Sequence, residues 1–268
     1  MASKVASKLK KAARIILVGA PGVGKGTQSE RLIQRYPHLS SIATGDLLRD
    51  HVKNKTALGT INSCLEAQSY MNSGGLVPDP LILNLILTEL TARKWIALDK
   101  PNEEFIASLS RQSDGDNTAA AAAPALSLSD DPSSSFILDG FPRNATQAEA
   151  LSRLLPINLV LHMVTPTEII LGRMANRWIH QPSGRVYNVG FNDPKVPGKD
   201  DITGEALIQR EDDSEATWRK RLAKFDETSS DLLSFYKARS PGVVVVVKGN
   251  SSDEISPQIF KEIDSRFG

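Results

Sequence analysis

The sequence is short of cysteine, of long apolar runs and of any charge surplus. Its 268 residues include a single cysteine, Cys64, which excludes an intrachain disulfide and any zinc site built from several thiolates. The longest run of large aliphatic side chains is Val243–Val247, whereas a bilayer-spanning helix needs about 20 apolar residues. Lys and Arg number 32 against 31 Asp and Glu, a formal net charge of +1, and a general nucleic-acid binder needs a basic surplus. No membrane and no nucleic acid is therefore expected as a partner. What remains is an ordinary globular composition, 40% hydrophobic and 24% charged. The length suits one large domain or a core with inserted subdomains.

Two further deficits are local. No acidic residue precedes Glu30, while Lys4, Lys8, Lys10, Lys11 and Arg14 crowd the beginning, with Val5, Leu9, Ala12 and Ala13 interleaved at roughly helical spacing. Segment 1–14 has two readings: a mitochondrial import signal, or a frayed terminus whose lysines stay solvated. It is not a secretory signal, because no apolar stretch with a cleavage site follows. Large apolar side chains are then nearly absent from 111–135, RQSDGDNTAAAAAPALSLSDDPSSS. Such a stretch buries too little area to offset its ordering entropy, so 99–135 is expected to contain a mobile surface insertion. The Ala119–Ala123 run has room for a helical turn, which Pro124 would stop.

Elsewhere, short aliphatic segments alternate with helical periods. Ile15–Val18, Phe136–Leu138, Leu159–Val164 and Val243–Val247 are candidate buried strands, with Ser41–Ala43 a weaker one. Thr27–Tyr36 and Leu81–Lys94 have helical patterning. That alternation predicts an α/β fold with a parallel sheet covered on both faces. In such folds ligands gather beyond the carboxyl ends of the strands.

The first strand is followed by GAPGVGKGT, Gly19–Thr27. Its glycines let the backbone curl so that successive N–H groups point at a phosphate, and a helix starting near Lys25 or Gly26 adds its positive end. Lys25 supplies a full charge for β- and γ-phosphates. The fit to G-x-x-x-x-G-K-[S/T] is complete except that Gly26 stands at the hydroxyl position and Thr27 follows. A chance Gly-rich turn does not account for strand, loop and helix in that order. After the strand FIL comes Asp139, then Gly140-Phe141-Pro142-Arg143. An aspartate there is placed to hold Mg²⁺ through water, and Arg143 has the planar fork that grips a phosphate. Pro142 restricts Phe141 and is a candidate cis proline. The bland alternative is an Asp capping a turn beside a surface Arg.

GAPGVGKGT, ATGDLLRD at 43–50, LDGFPR at 138–143 and the block from Arg173 to Arg221 together resemble the adenylate kinase family in its long-lid form. The resemblance covers nearly everything except the N-terminal tail and 99–135. It implies a P-loop NTPase-type core, a five-stranded parallel sheet flanked by helices over 15–268, with an AMP-binding insert at 43–77 and a lid at 176–213. It implies a triphosphate site of Gly22, Val23, Gly24, Lys25, Gly26, Thr27, Arg173, Arg177, Val186, Tyr187, Gly249, Asn250 and Ser251. It implies an AMP site of Thr44, Arg49, Gly75, Leu76, Val77, Gly140, Phe141, Pro142, Arg143, Gln147, Arg210 and Arg221. Lys25, Arg143, Arg177, Arg210 and Arg221 would be the catalytic cations, with Arg173 and Arg177 on one helical face and Asp212 and Asp213 orienting the lid. Singly, Thr44 is equally an N-cap and Arg49 equally a member of a plain amphipathic helix.

The implied reaction is reversible in-line transfer of a terminal phosphoryl to AMP, with Mg as cofactor, a monomer as working unit and no general base. His180-x₂-Ser183 and Asp200-x₂-Thr203 stand where some relatives in the family carry four zinc-binding cysteines. Oxygen donors and one histidine suit a hydrogen-bonded network, and no zinc is expected. Cys64 reads as a small buried hydrophobe. The segments NRWIH, SGRVYN and LIQREDD resemble the mitochondrial GTP:AMP branch, although Thr44 stands where that branch more often has Ser. GTP is thus the favoured donor, with ATP the alternative, and the mitochondrial matrix the favoured location, with the cytoplasm the alternative. A P-loop switch is the remote alternative; its guanine-reading Asn-Lys-x-Asp has only Asn54-Lys55-Thr56-Ala57 as a near match, without the carboxylate.

Overall fold

The computed structural model describes residues 7–54, 70, 77–98, 126–175, 177–190, 192–209 and 215–268. The chain enters through β1 (Arg14–Val18), α1 (Lys25–Arg35), β2 (Leu39–Ala43) and α2 (Thr44–Asn54). It continues through α3 (Asp79–Ala92), β3 (Ile96–Leu98), β4 (Leu126–Leu128), β5 (Ser135–Asp139) and α4 (Ala145–Leu154). There follow β6 (Leu159–Val164), α5 (Thr167–Ala175), β7 (Arg177–His180) and β8 (Arg185–Asn188). The chain closes with α6 (Glu215–Arg239), β9 (Val244–Lys248) and α7 (Ser252–Phe267).

Strand side chains alternate between faces, and β1 uses both. Ile16 and Val18 pack with Leu138, Ile86 and Leu90 of α3, Leu151 of α4 and Leu232 of α6. Ile15 and Leu17 pack on the other side with Ile137, Leu159, Leu161, Leu32 of α1 and Ile259 and Ile263 of α7. Each such fully buried aliphatic side chain contributes about 1.5–3 kcal/mol. The five strands run parallel in the order β2-β5-β1-β6-β9. Leu17 pairs with Asp139, so the loop after β1 and the turn after β5 leave the sheet side by side. That is the crevice where open α/β sheets bind ligands.

The expected elements are present with small shifts. The helix expected to reach Lys94 ends at Ala92, and Lys94 has φ 59, outside the helical range. Two expectations need correction. Residues 7–13 are neither helical nor frayed: the Lys10 N–H donates to the Phe267 carbonyl (2.7 Å), the Ala13 N–H donates to Ser135 Oγ (2.9 Å), and Leu9, Ala12 and Ala13 are buried. Apolar Leu9 and the alanines outweigh the lysines, whose charged ends stay in water. Residues 126–135 are not part of a mobile insertion. β4 pairs antiparallel with β3, and Arg14 Nη2 donates to the Ser129 carbonyl (2.9 Å) and to Asp130 (3.2 Å). Strand pairing and that charge supply order where apolar side chains are few. The remainder of 99–135, together with Cys64, lies outside the described residues, among which no helix is long and apolar enough to cross a membrane.

Candidate active site

A cleft of ≈ 410 Å³ opens at the carboxyl edge of the sheet, between the β1–α1 loop, the β5–α4 turn, the lid hairpin β7–β8 and the start of α7. Gly24 has φ 101, a left-handed conformation that an L side chain resists. It turns the chain into α1 so that the helix's amino end, with Gly22, Gly24, Lys25, Gly26 and Thr27, lines the cleft. Val23 is buried and anchors the loop. The Lys25 ammonium donates to the carbonyls of Gly19 (2.8 Å) and Ala20 (3.1 Å). Burial pushes its pKa below the usual lysine value; Asp139 opposes that shift, while Arg143 and Arg177 reinforce it.

Beside it, Asp139 ends β5 and Gly140 turns with φ 88. A Cβ on Gly140 would sit 2.9 Å from Thr44 Oγ1, and that hydroxyl donates to the Asp139 carbonyl (3.1 Å). Thr44 therefore ties α2 to the turn. The Phe141–Pro142 peptide is cis, as the sequence suggested. Arg143 Nε donates to the Gly140 carbonyl (2.7 Å). A smaller cavity next to the cleft gathers Thr44, Arg49, Val77, Gly140, Phe141, Arg143, Gln147 and Arg221. The buried Gln147 is held at both ends: its Oε1 accepts from the Arg143 N–H and its Nε2 donates to Asp79, each at 2.7 Å. Arg49 donates to Asp46 (2.5 Å).

On the lid side, Arg173 and Arg177 both line the cleft, but they do not share a helical face: α5 ends at Ala175, and Arg177 opens β7. Arg173 is buried, which lowers its pKa, and donates to the carbonyls of Val23 (3.4 Å) and Asn250 (2.7 Å). It clamps the phosphate loop to the β9–α7 turn. Strand alternation divides the next pair. Val186 faces the cleft, whereas Tyr187 is buried away from it and its hydroxyl donates to Asp200 (2.9 Å). Asn250 and Ser251 line the cleft and Ser251 caps α7. Gly249 is committed to the fold, its N–H to Val164 (3.2 Å) and its carbonyl to Thr165 (2.9 Å). Gly75, Leu76, Arg210, Asp212 and Asp213 lie outside the described residues.

The lid is built around Asp200, whose side chain is 0% exposed. Arg185 donates to it twice (2.7 and 2.6 Å), joined by the Thr203 N–H (2.8 Å) and Thr203 hydroxyl (3.0 Å). The Arg185 hydrogen bonds come first among the causes that hold this carboxyl far below the ordinary carboxylate range. His180 Nδ1 lies 2.7 Å from Ser183 Oγ and Nε2 2.5 Å from Glu205. The four positions singled out in the sequence thus share one hydrogen-bonded network.

Among the described residues the cleft is lined by eight cationic side chains (Lys25, Arg31, Arg49, Arg143, Arg173, Arg177, Arg221 and Lys224) and three carboxylates, Asp46, Asp139 and Asp253. A field of that sign suits a chain of phosphates. Two contributors escaped sequence reasoning. Asp79 fixes Gln147 from a distant helix, with no local signal. Trp218 lies under Arg177 and Arg221, and its place three residues before Arg221, on one helix face, was a usable signal.

The sequence pattern of the family described as "Adenylate kinase" matches residues 17–100, and that described as "Adenylate kinase, active site lid" matches residues 177–212. A Saccharomyces cerevisiae protein named "GTP:AMP phosphotransferase, mitochondrial" is 40% identical, across 99% of this chain and 98% of its own length. A Drosophila melanogaster protein of the same name is 38% identical, across 95% and 96%. A Chloroherpeton thalassium protein named "Adenylate kinase" is 39% identical, across 94% and 96%.

Proposed function

We infer the function from one premise: this chain belongs to the adenylate kinase family. It is a nucleoside monophosphate kinase that moves the terminal phosphoryl of a nucleoside triphosphate to AMP. The observation that carries this reading is the two-part cleft, a phosphate loop with Lys25 on one side and an arginine-lined cavity on the other, with Arg49, Arg143 and Arg221 lining both. In the reaction an AMP phosphate oxygen bonds to the γ-phosphorus as the bond from that phosphorus to the β,γ-bridging oxygen breaks. The acceptor is already anionic, so no proton has to be removed first. Catalysis reduces to alignment and charge neutralisation.

We assign the donor phosphates to the N–H groups of Gly22–Thr27 and to Lys25, which would exchange its two carbonyl acceptors for phosphate oxygens. Arg177, Arg210 and Arg221 would neutralise the transferring group, and arginines in that role contribute roughly 10³–10⁵ in rate. Arg49 and Arg143 would hold the AMP phosphate and Gln147 the base edge, with Thr44, Gly75, Leu76 and Val77 walling the acceptor. Asp212 and Asp213 would orient the lid arginines. Asp139 is the carboxylate beside the phosphate loop, a hard oxygen donor that suits Mg²⁺ keeping most of its waters. When bound, the ion would supply positive charge that offsets that of the donor phosphates.

GTP is our choice of donor, supported by the printed names of the yeast and fly relatives and by the lid segments. The same names support a mitochondrial location, which we refine to the matrix, and a monomer is the working unit. ATP is the second reading, favoured by Thr44, which stands where the GTP:AMP branch more often has Ser. The test fixes AMP and compares kcat/KM for GTP, ATP, ITP and UTP. GTP should lead; ATP ahead would reassign the donor. Hydrolysis with no AMP-dependent product would remove the kinase reading.

A further inference from the structure

We propose that Trp218 is a positioning residue for phosphoryl transfer: its indole is the common platform that aims Arg177 and Arg221 into the cleft. Its ring centroid lies 5.2 Å from the Arg177 guanidinium carbon and 5.5 Å from that of Arg221. Both distances fall within the range at which a ring face attracts a cation. Arg221 follows Trp218 by three residues on α6 and so projects from the same face of that helix. Arg177 opens β7 and arrives from the root of the lid hairpin. The indole therefore connects a core helix to the lid through two arginines, all three side chains lining the cleft.

Two guanidiniums drawn to one site repel each other, the more so in a partly water-excluded cleft. A ring between helix and lid offsets that repulsion before any phosphate arrives. Packing alone does not account for an indole here. Trp218 is 3% exposed within an apolar cluster, and its Nε1–H finds no acceptor among the described residues. A buried donor left unpaired is a cost that leucine or phenylalanine would not carry. What the indole adds is its face, which holds a cation better than that of phenylalanine.

The inference rests on the kinase reading, and the two fail separately: absence of AMP-dependent transfer by the unaltered protein would remove that reading. Given that transfer, Trp218→Leu should lower kcat about tenfold with KM values changed less than about threefold, as expected for losing two ring–cation contacts felt in the transition state. Trp218→Phe should recover most of kcat. Fluorinated tryptophans, introduced in a Trp95→Phe, Trp178→Phe background, weaken the ring face with little change in shape. They should lower log kcat stepwise with fluorine count while Tm stays constant, and this series decides the matter if the leucine variant fails to fold. A kcat unmoved by Trp218→Leu or by fluorination, or a loss in both substitutions that tracks Tm, would overturn the proposal.

Discussion

The sheet buries Ile15, Ile16, Ile137, Leu138, Leu159 and Leu161 at 0% exposure. In the lid, Ile179, Tyr187 and Leu207 are buried but Ile202 is 72% and Val196 53% exposed, and a carboxylate, Asp200, sits at the centre. A unit so small cannot enclose an apolar core. It is ordered instead by a charged group surrounded by donors. Burial of hydrocarbon is indifferent to pH and to ligand charge; a cluster of ions is not. The lid is thus held together by interactions that ligand charge and protons can rebalance.

The largest expected separation between the two regions comes from Lys25→Met. Its ammonium is spent on carbonyls of its own loop and not on packing, so turnover should fall by at least about 10³-fold. Tm should stay within a few degrees, measured by steady-state kinetics and calorimetry on one sample. Loss of the fold would move Lys25 out of the chemistry.

Next, Asp200→Ala should unhinge the lid and spare the sheet. Breaking a buried ion cluster by removing one partner costs about 3–5 kcal/mol, here confined to one subdomain. Hydrogen exchange of the amides in 177–209 should accelerate strongly while β1, β5 and β6 keep their protection. A uniform loss across both regions would show that lid and sheet unfold as one unit.

Acid should produce a milder version of that result. Asp200 is held below its unfolded value, so its contribution is complete above the ordinary carboxylate pKa of about 4. The contribution fades as pH falls from there toward the native value. Intrinsic-rate-corrected exchange in the lid should therefore rise below about pH 4, before that of the sheet. Coincident transitions would mean that Asp200 does not govern the lid.

The smallest effect concerns 99–135. Leu98 and Leu126 are paired across β3–β4, so replacing 101–124 with a short Gly/Ser turn closes a hairpin already in register. Loop length changes closure entropy slowly, and kcat should stay within about threefold. Carrying the deletion through Ser134 should cost stability as well, because Ser129 and Asp130 hold Arg14.

How much of this was legible in the sequence follows the same division. The sheet could be read because β1, β5 and β6 are continuous aliphatic runs, and the phosphate loop because glycine, lysine and a helix start occur in a fixed order. The cis Pro142 and the network of His180, Ser183, Asp200 and Thr203 could be read because local spacing carries them. Arg177 could not be placed on its strand, since four-residue spacing after α5 imitates a helix. The family resemblance puts Tyr187 in the triphosphate site, yet it faces away, because period-2 alternation decides facing only once the strand register is known. The docking of residues 7–13 and the bond from Gln147 to Asp79 depend on partners far away in the chain, which one sequence does not pair.

The central claim is that one cleft holds donor and acceptor together, with the lid closing over a shared phosphate chain. Guanosine and adenosine joined 5′ to 5′ through five phosphates test it directly, by titration calorimetry with competition. The expected result is one molecule bound per chain, displaced by either GTP or AMP, with the amides in 177–209 protected from exchange on binding. Displacement by the triphosphate alone, with the lid amides unprotected, would contradict the two-site cleft and the transfer built on it.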